Sequence, residues 1–136
     1  MKLVSSLYSF LSDNQYLLPL GIIGLTLLML LLTLMPSDVL GKSSIWSYDK
    51  LGHMILFGSW CFTVGLYYQI NNPPAKIWAI FASGVVFGLF IEALQYALPF
   101  KRHADPYDFA FDVLGCLVAV WLLKRMSPEK LDNPTP

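Results

Sequence analysis

Three short stretches carry residues able to do acid, base or ion chemistry. "DKLGH" supplies Asp49, Lys50 and His53. "IEALQ" supplies Glu92 and Gln95. "RHADPYDFAFD" supplies Arg102, Asp105, Asp108 and Asp112. Carboxylates and imidazole exchange protons, and lysine and arginine hold phosphate or carboxylate groups. Glu92 or His53 is a candidate general acid/base, with Asp112 completing the set. Asp49, Lys50, Gln95, Arg102 and Asp108 are candidate ligand contacts. With neutral histidine, Asp49, Glu92, Asp105, Asp108 and Asp112 outnumber Lys50 and Arg102. A confined acid excess of this kind needs relief: either some carboxyls keep their protons or a cation binds. Glu92 is the best placed of them for proton transfer.

The elements that must position these residues are apolar. Hydrophobic residues make up 56% of the 136 and charged residues 13%, with a mean hydropathy of +0.57. Soluble domains carry about 25% charged residues, so most of this surface faces something other than water. Net charge is zero, which gives no reason to expect nucleic acid or an acidic partner. A spanning helix needs about 20 mostly apolar residues. Four segments qualify, at about 16–35, 47–70, 76–98 and 106–124. The first is too long for a signal-peptide core, and no small-residue cleavage site follows it. Asn71, Asn72, Pro73 and Pro74 force a turn after the second, and Pro99 stops the third. Asp105 is an N-cap with Pro106 at the first helical position. The expected fold is all-α, an integral membrane four-helix bundle with up-down topology. It occupies residues 1–126 as one transmembrane domain, followed by a disordered polar tail at 127–136. The first 15 residues read as an interfacial helix. Cys61 and Cys116 lie in apolar runs and read as small buried hydrophobes.

Lys2, Lys76, Lys124, Arg125 and Lys130 fall on one side of this bundle, and Lys42, Lys50, Lys101 and Arg102 on the other. With Lys50 and Arg102 set aside for a site, the positive-inside rule puts both termini in the cytoplasm. The second segment then starts, the third ends and the fourth starts on the outer side. His53, Glu92 and Asp112 each lie six or seven residues inside those ends, or roughly 9–10 Å deep at 1.5 Å per residue. Asp105, Asp108, Asp112 and Gly115 fall on one helical stripe, and Gly84 and Gly88 precede Glu92 in four-residue steps. Small residues on such lines allow close helix packing in lipid. A lone Asp, Lys or Arg deep in a spanning helix costs about 2.5–3.5 kcal/mol, which favours gathering these groups around one hydrated recess.

"DKLGHM", "GLFIEALQ" and "RHADPYDFAFDVLG" together resemble the VanZ-like family of small bacterial membrane proteins. Its pattern is D-K-x-x-H on one helix and G-x-x-x-E-x-x-Q on another, then an arginine and D-x-x-x-N-x-x-G. The matching residues are Asp49, Lys50, His53, Gly88, Glu92, Gln95, Arg102, Asp108 and Gly115. Asp112 departs from the pattern, standing where the family usually has Asn. The family is named for a protein associated with teicoplanin resistance. The resemblance implies a multi-pass protein of the bacterial inner membrane and supplies no reaction.

Plainer roles compete with a site. Asp105 and Asp108 suit the first turn of a helix as caps and dipole partners, and Asp49 has the same explanation. Lys50 is long enough to snorkel to the interface. His53, Glu92 and Asp112 lie too deep for capping, although they could pin helices together. Trp and Tyr at 46, 48, 67, 68, 78, 96 and 107 read as interfacial anchors, alongside membrane lipids as the main surroundings. Three functions fit. One is an enzyme acting on an envelope or lipid-linked anionic substrate. The second is a non-catalytic binder or transporter, and the third is a structural partner of another membrane protein. No resident cofactor is expected. A divalent metal on His53, Glu92 and Asp112 is only a variant of the first, because no HExxH-like motif is present.

Overall fold

The computed structural model describes residues 2–34, 46–98 and 105–126, with side chains from 4 in the first segment and from 50 in the second. The described residues form five helices: α1 (Lys2–Asp13), α2 (Leu17–Leu34), α3 (Trp46–Asn71), α4 (Ile77–Ala97) and α5 (Pro106–Met126). No strand occurs among them. The tail at 127–136 lies outside the described residues.

Three helices are long and apolar enough to cross a membrane: α2, α4 and α5. Their outward faces support that reading. Leu20, Ile23, Leu27 and Leu31 of α2 are all more than half exposed, as are Val86, Leu89 and Phe90 of α4. Apolar faces of this extent mark contact with lipid or protein rather than water. α3 is 26 residues long, or roughly 39 Å at 1.5 Å per residue. Its hydropathy is lowered by the polar residues at its N-terminal end.

α3 and α5 run parallel and form the centre of the bundle. Their paired positions keep an almost constant spacing along the chain: Lys50 with Asp108, His53 with Asp112, Phe57 with Cys116. Two glycines make this approach close. A Cβ on Gly58 would lie 3.1 Å from the Gly115 carbonyl oxygen, and one on Gly115 would overlap the Met54 carbonyl. Neither position has room for a side chain. α4 packs antiparallel to α5 through its own small residues. Gly84 lies against the Cys116 Sγ, and Gly88 lies against Asp112 and Phe109. α2 is antiparallel to α3, tied by the Trp60 Nε1 donating to Thr26 Oγ1 at 2.9 Å. Phe57, Cys61, Ile91, Cys116 and Met29 fill the space between them and are completely buried. Both cysteines are free thiols, used as small packing residues.

α1 lies against the far end of the bundle. Its Leu11 joins Leu18, Leu66 and Leu123 in a second apolar cluster. Tyr8 donates its hydroxyl hydrogen to Gln69 Oε1, and Gln69 Nε2 donates to the Leu123 carbonyl at 3.1 Å. One polar chain thus joins α1, α3 and α5 where lipid would leave a lone amide unsatisfied. Burial pushes the Tyr8 hydroxyl pKa up from its ordinary value.

Candidate functional site

The ends of α2, α3, α4 and α5 that meet opposite α1 carry the polar residues. Gln95 of α4 donates from Nε2 to the Thr33 carbonyl of α2 at 2.8 Å, which fixes the C-terminal ends of those two helices side by side. The N-terminal ends of α3 and α5 join them through Lys50. Its Nζ lies 3.0 Å from Asp105 Oδ2 and 3.1 Å from Asp108 Oδ1.

The α5 end is built by its sequence. Asp105 accepts a hydrogen bond from the Tyr107 backbone N–H at 2.9 Å, an N-cap followed by Pro106 at the first helical position. That backbone contact and, after it, the Lys50 ammonium hold the Asp105 carboxyl below the usual carboxylate range. Asp108, one turn further, is buried. Tyr107 extends outward, 69% exposed, and its ring lies 5.4 Å from Lys50 Nζ. The lysine is therefore held by two carboxylates and an aromatic face.

One turn deeper the polar pairing changes from ammonium to imidazole. His53 Nδ1 lies 2.8 Å from Asp112 Oδ1, and both residues are buried. His53 Nε2 faces Asp108 Oδ2 at 3.9 Å. One side of the imidazole stacks on Phe57, with 6° between the ring planes. An ionised carboxylate only accepts, so an ionised Asp112 orients the ring with Nδ1–H directed at itself.

Glu92 closes the site from α4. Its side chain lies within electrostatic reach of Asp108, Asp112, His53 and the Asp105 backbone N–H. The stripe of Gly84, Gly88 and Glu92 explains this placement. The two glycines let α4 approach α5, and the next residue on that line reaches the acids at the start of α5. Three buried oxygens have no hydrogen-bond partner among the described residues: Glu92 Oε1, Gln95 Oε1 and Asp112 Oδ2. An unpaired buried acceptor costs about 1–3 kcal/mol, so these oxygens mark the part of the cluster that the protein's described groups leave unsatisfied.

The structure thus brings Lys50, His53, Glu92, Asp108 and Asp112 together, with Asp105 and Gln95 at the edges. The Asp49 side chain, Arg102 and His103 lie outside the described residues. Two of these residues also make contacts between helices. Lys50 directs its ammonium at Asp105 and Asp108, so it serves first to join α3 to α5. Gln95 uses its amide hydrogen to tie α4 to α2, and its Oε1 has no partner among the described residues. Gly58, not singled out in the sequence, sets the distance between α3 and α5. Its seven-residue spacing from Gly65 on a helix that must pack closely was the available signal. Among the described residues no group of three or more His, Cys, Asp or Glu side chains is arranged to hold a metal ion.

The cluster lies in a chain that matches a known family. The family model described as VanZ/LLP1 matches residues 6–127. The chain belongs to the VanZ/LLP1 family. No curated protein and no solved structure matches it. The match spans all the helices that build the polar cluster, so the cluster lies within the VanZ-like part of the chain. The Asp at 112, where the VanZ-like pattern places Asn, occupies a position that hydrogen-bonds His53 at 2.8 Å. An Asn side-chain oxygen at that position can accept the same hydrogen bond.

Proposed function

We propose that this VanZ-like protein is a multi-pass protein of the bacterial inner membrane whose polar cluster binds and acts on a cell-envelope or lipid-linked anionic ligand. α3 is the fourth span of a four-helix bundle in this reading, and both termini lie in the cytoplasm. The length of α3 and its parallel packing against α5 support that topology.

One observation carries the functional reading: Glu92 Oε1 and Asp112 Oδ2 are buried beside His53 and have no partner among the described residues. A cluster that served only to pin helices would satisfy its acceptors internally, as the Gln69 chain at the other end does. Here the unsatisfied acceptors come from α4 and α5. They suit a ligand that brings hydroxyl or ammonium hydrogens, such as a sugar or a lipid headgroup. Arg102 supplies the positive charge for a phosphate or carboxylate on the same ligand, because Lys50 is already paired. Glu92 is the general acid/base, and His53, oriented by Asp112, shares its proton. Asp49, Gln95 and Asp108 are further ligand contacts in this reading.

The test is to purify the protein in mild detergent and identify small molecules that remain bound by mass spectrometry. The wild type is expected to retain an anionic amphiphile. Glu92→Gln keeps shape but removes the titrating carboxyl and is expected to lose turnover of that molecule. Arg102→Ala is expected to lose the molecule itself. Normal membrane accumulation of both variants, with unchanged cellular function and unchanged bound molecules, would leave the cluster a purely structural role.

A further inference from the structure

The opposite end of the bundle holds a cavity of about 620 Å³ between α2, α3 and α4. Small-molecule sites commonly measure about 300–1,000 Å³. Its inner wall is apolar, formed by Ile22, Val64, Ile80 and Trp60. The polar hydrogens of Trp60 and Ser83 are already used, and Tyr67 and Tyr68 add aromatic rings to the lining. Trp60 donates to Thr26 Oγ1 at 2.9 Å, and Ser83 donates to the Ile80 carbonyl at 2.7 Å. The cavity therefore presents hydrocarbon and aromatic surface.

Its rim is different. Asn72 and Lys76 stand at the mouth, and both are exposed. Lys76 forms no ion pair with another described residue and is, among the described residues, the only charged one lining the cavity. It is also the N-cap residue of α4, which has no side-chain cap and no acid in its first turn. The N–H groups of that turn and the helix dipole favour an anion. Lys124, over the Trp78 ring at 5.0 Å, and Arg125, over the Trp121 ring at 4.9 Å, make the same end of the bundle basic.

We propose that this cavity holds an acyl chain of an anionic phospholipid, with the lipid phosphate at Lys76 and the first turn of α4. The hydrocarbon wall lies between α2 and α4, two of the three helices whose apolar length fits a bilayer. A cleft between them opens toward acyl chains, and Lys76 at the helix end lies at headgroup level. Charge complementarity selects an anionic headgroup over a zwitterionic one. This site is separate from the His53–Glu92 cluster and does not depend on the function proposed for that cluster.

Native mass spectrometry of the full chain in mild detergent tests the proposal, with dioleoylphosphatidylglycerol and dioleoylphosphatidylcholine as the probes. The wild type is expected to prefer the anionic lipid about fivefold, the ratio for roughly 1 kcal/mol from one lysine at a lipid surface. Lys76→Gln is expected to remove that preference and Lys76→Arg to keep it. Lys124→Gln, on the same face but outside the cavity, is expected to stay near the wild type. Ala79→Phe fills the cavity from an exposed position and is expected to lower retention of both lipids. Equal retention of the two lipids by the wild type would overturn the proposal. So would an equal loss in Lys124→Gln and Lys76→Gln, which would indicate a diffuse basic surface, or full retention by Ala79→Phe.

Discussion

His53 on α3 and Asp112 on α5 meet at 2.8 Å, both buried, in helices that run parallel. The contact depends on the glycine pair about one turn deeper, because Gly58 and Gly115 set the distance at which an imidazole and a carboxyl can touch. The pairing makes the side-chain oxygen at 112 more important than its charge. Asp112→Asn is expected to fold and to keep the bond to His53. Asp112→Leu leaves the ring without that partner and is expected to cost about 1–3 kcal/mol. Thermal unfolding in detergent distinguishes the two variants.

The glycine contact makes its own prediction. A Cβ on Gly115 would overlap the Met54 carbonyl, which is backbone and cannot rotate away. Gly115→Leu is expected to force α3 and α5 apart, at about 1–3 kcal/mol for overpacking. Loss of the Lys50–Asp108 contact should follow. Gly24→Leu is the control, because a Cβ there meets nothing within 4 Å. It should unfold like the wild type.

Asp105 makes the start of α5 sensitive to acid. Its carboxyl titrates below the ordinary value because the folded chain favours the charged form. Protons therefore bind more readily to the unfolded chain. The stabilisation is fully present above the unfolded value of about 3.9 and is lost as pH falls through the lower folded value. Asp105→Ser retains a cap but no charge. The variant is expected to lose part of the stability difference between pH 6 and pH 3, measured by thermal unfolding across that range.

Tyr8→Phe removes the hydroxyl that joins α1 to Gln69. The expected cost is about 0.5–1.5 kcal/mol, concentrated in α1. Hydrogen exchange should rise in residues 4–13 and stay unchanged at the start of α5. Uniformly faster exchange through α3 and α5 would instead show that α1 supports the whole bundle.

Much of this arrangement was legible because lipid makes polar residues conspicuous. Glu92 after Gly84 and Gly88, and Asp112 between Asp108 and Gly115, stand on lines that only close helix packing explains. Pro106 and Asp105 mark the start of α5 by their local chemistry. The partners were not legible. Nothing in the spacing showed that Lys50 would join Asp105 and Asp108 rather than face a ligand, or that Gln95 would turn its amide to Thr33. Those outcomes depend on helix rotation, which here is set by Gly58 against Gly115. The α1 latch was equally hidden, because Tyr8 and Gln69 are far apart in sequence and each is ordinary alone.

Glu92, in the function proposed for this protein, faces a wet recess shared by α3, α4 and α5, not lipid. Right-side-out membrane vesicles carrying Glu92→Cys or Phe90→Cys can be treated with a charged, membrane-impermeant thiol reagent. Phe90 lies at nearly the same depth on α4 and is 53% exposed on its outer face. Cys61 and Cys116 are buried, so the wild type gives the background. Rapid modification is expected at 92 and none above background at 90. Modification at 90 with none at 92 would place Glu92 away from any wet recess.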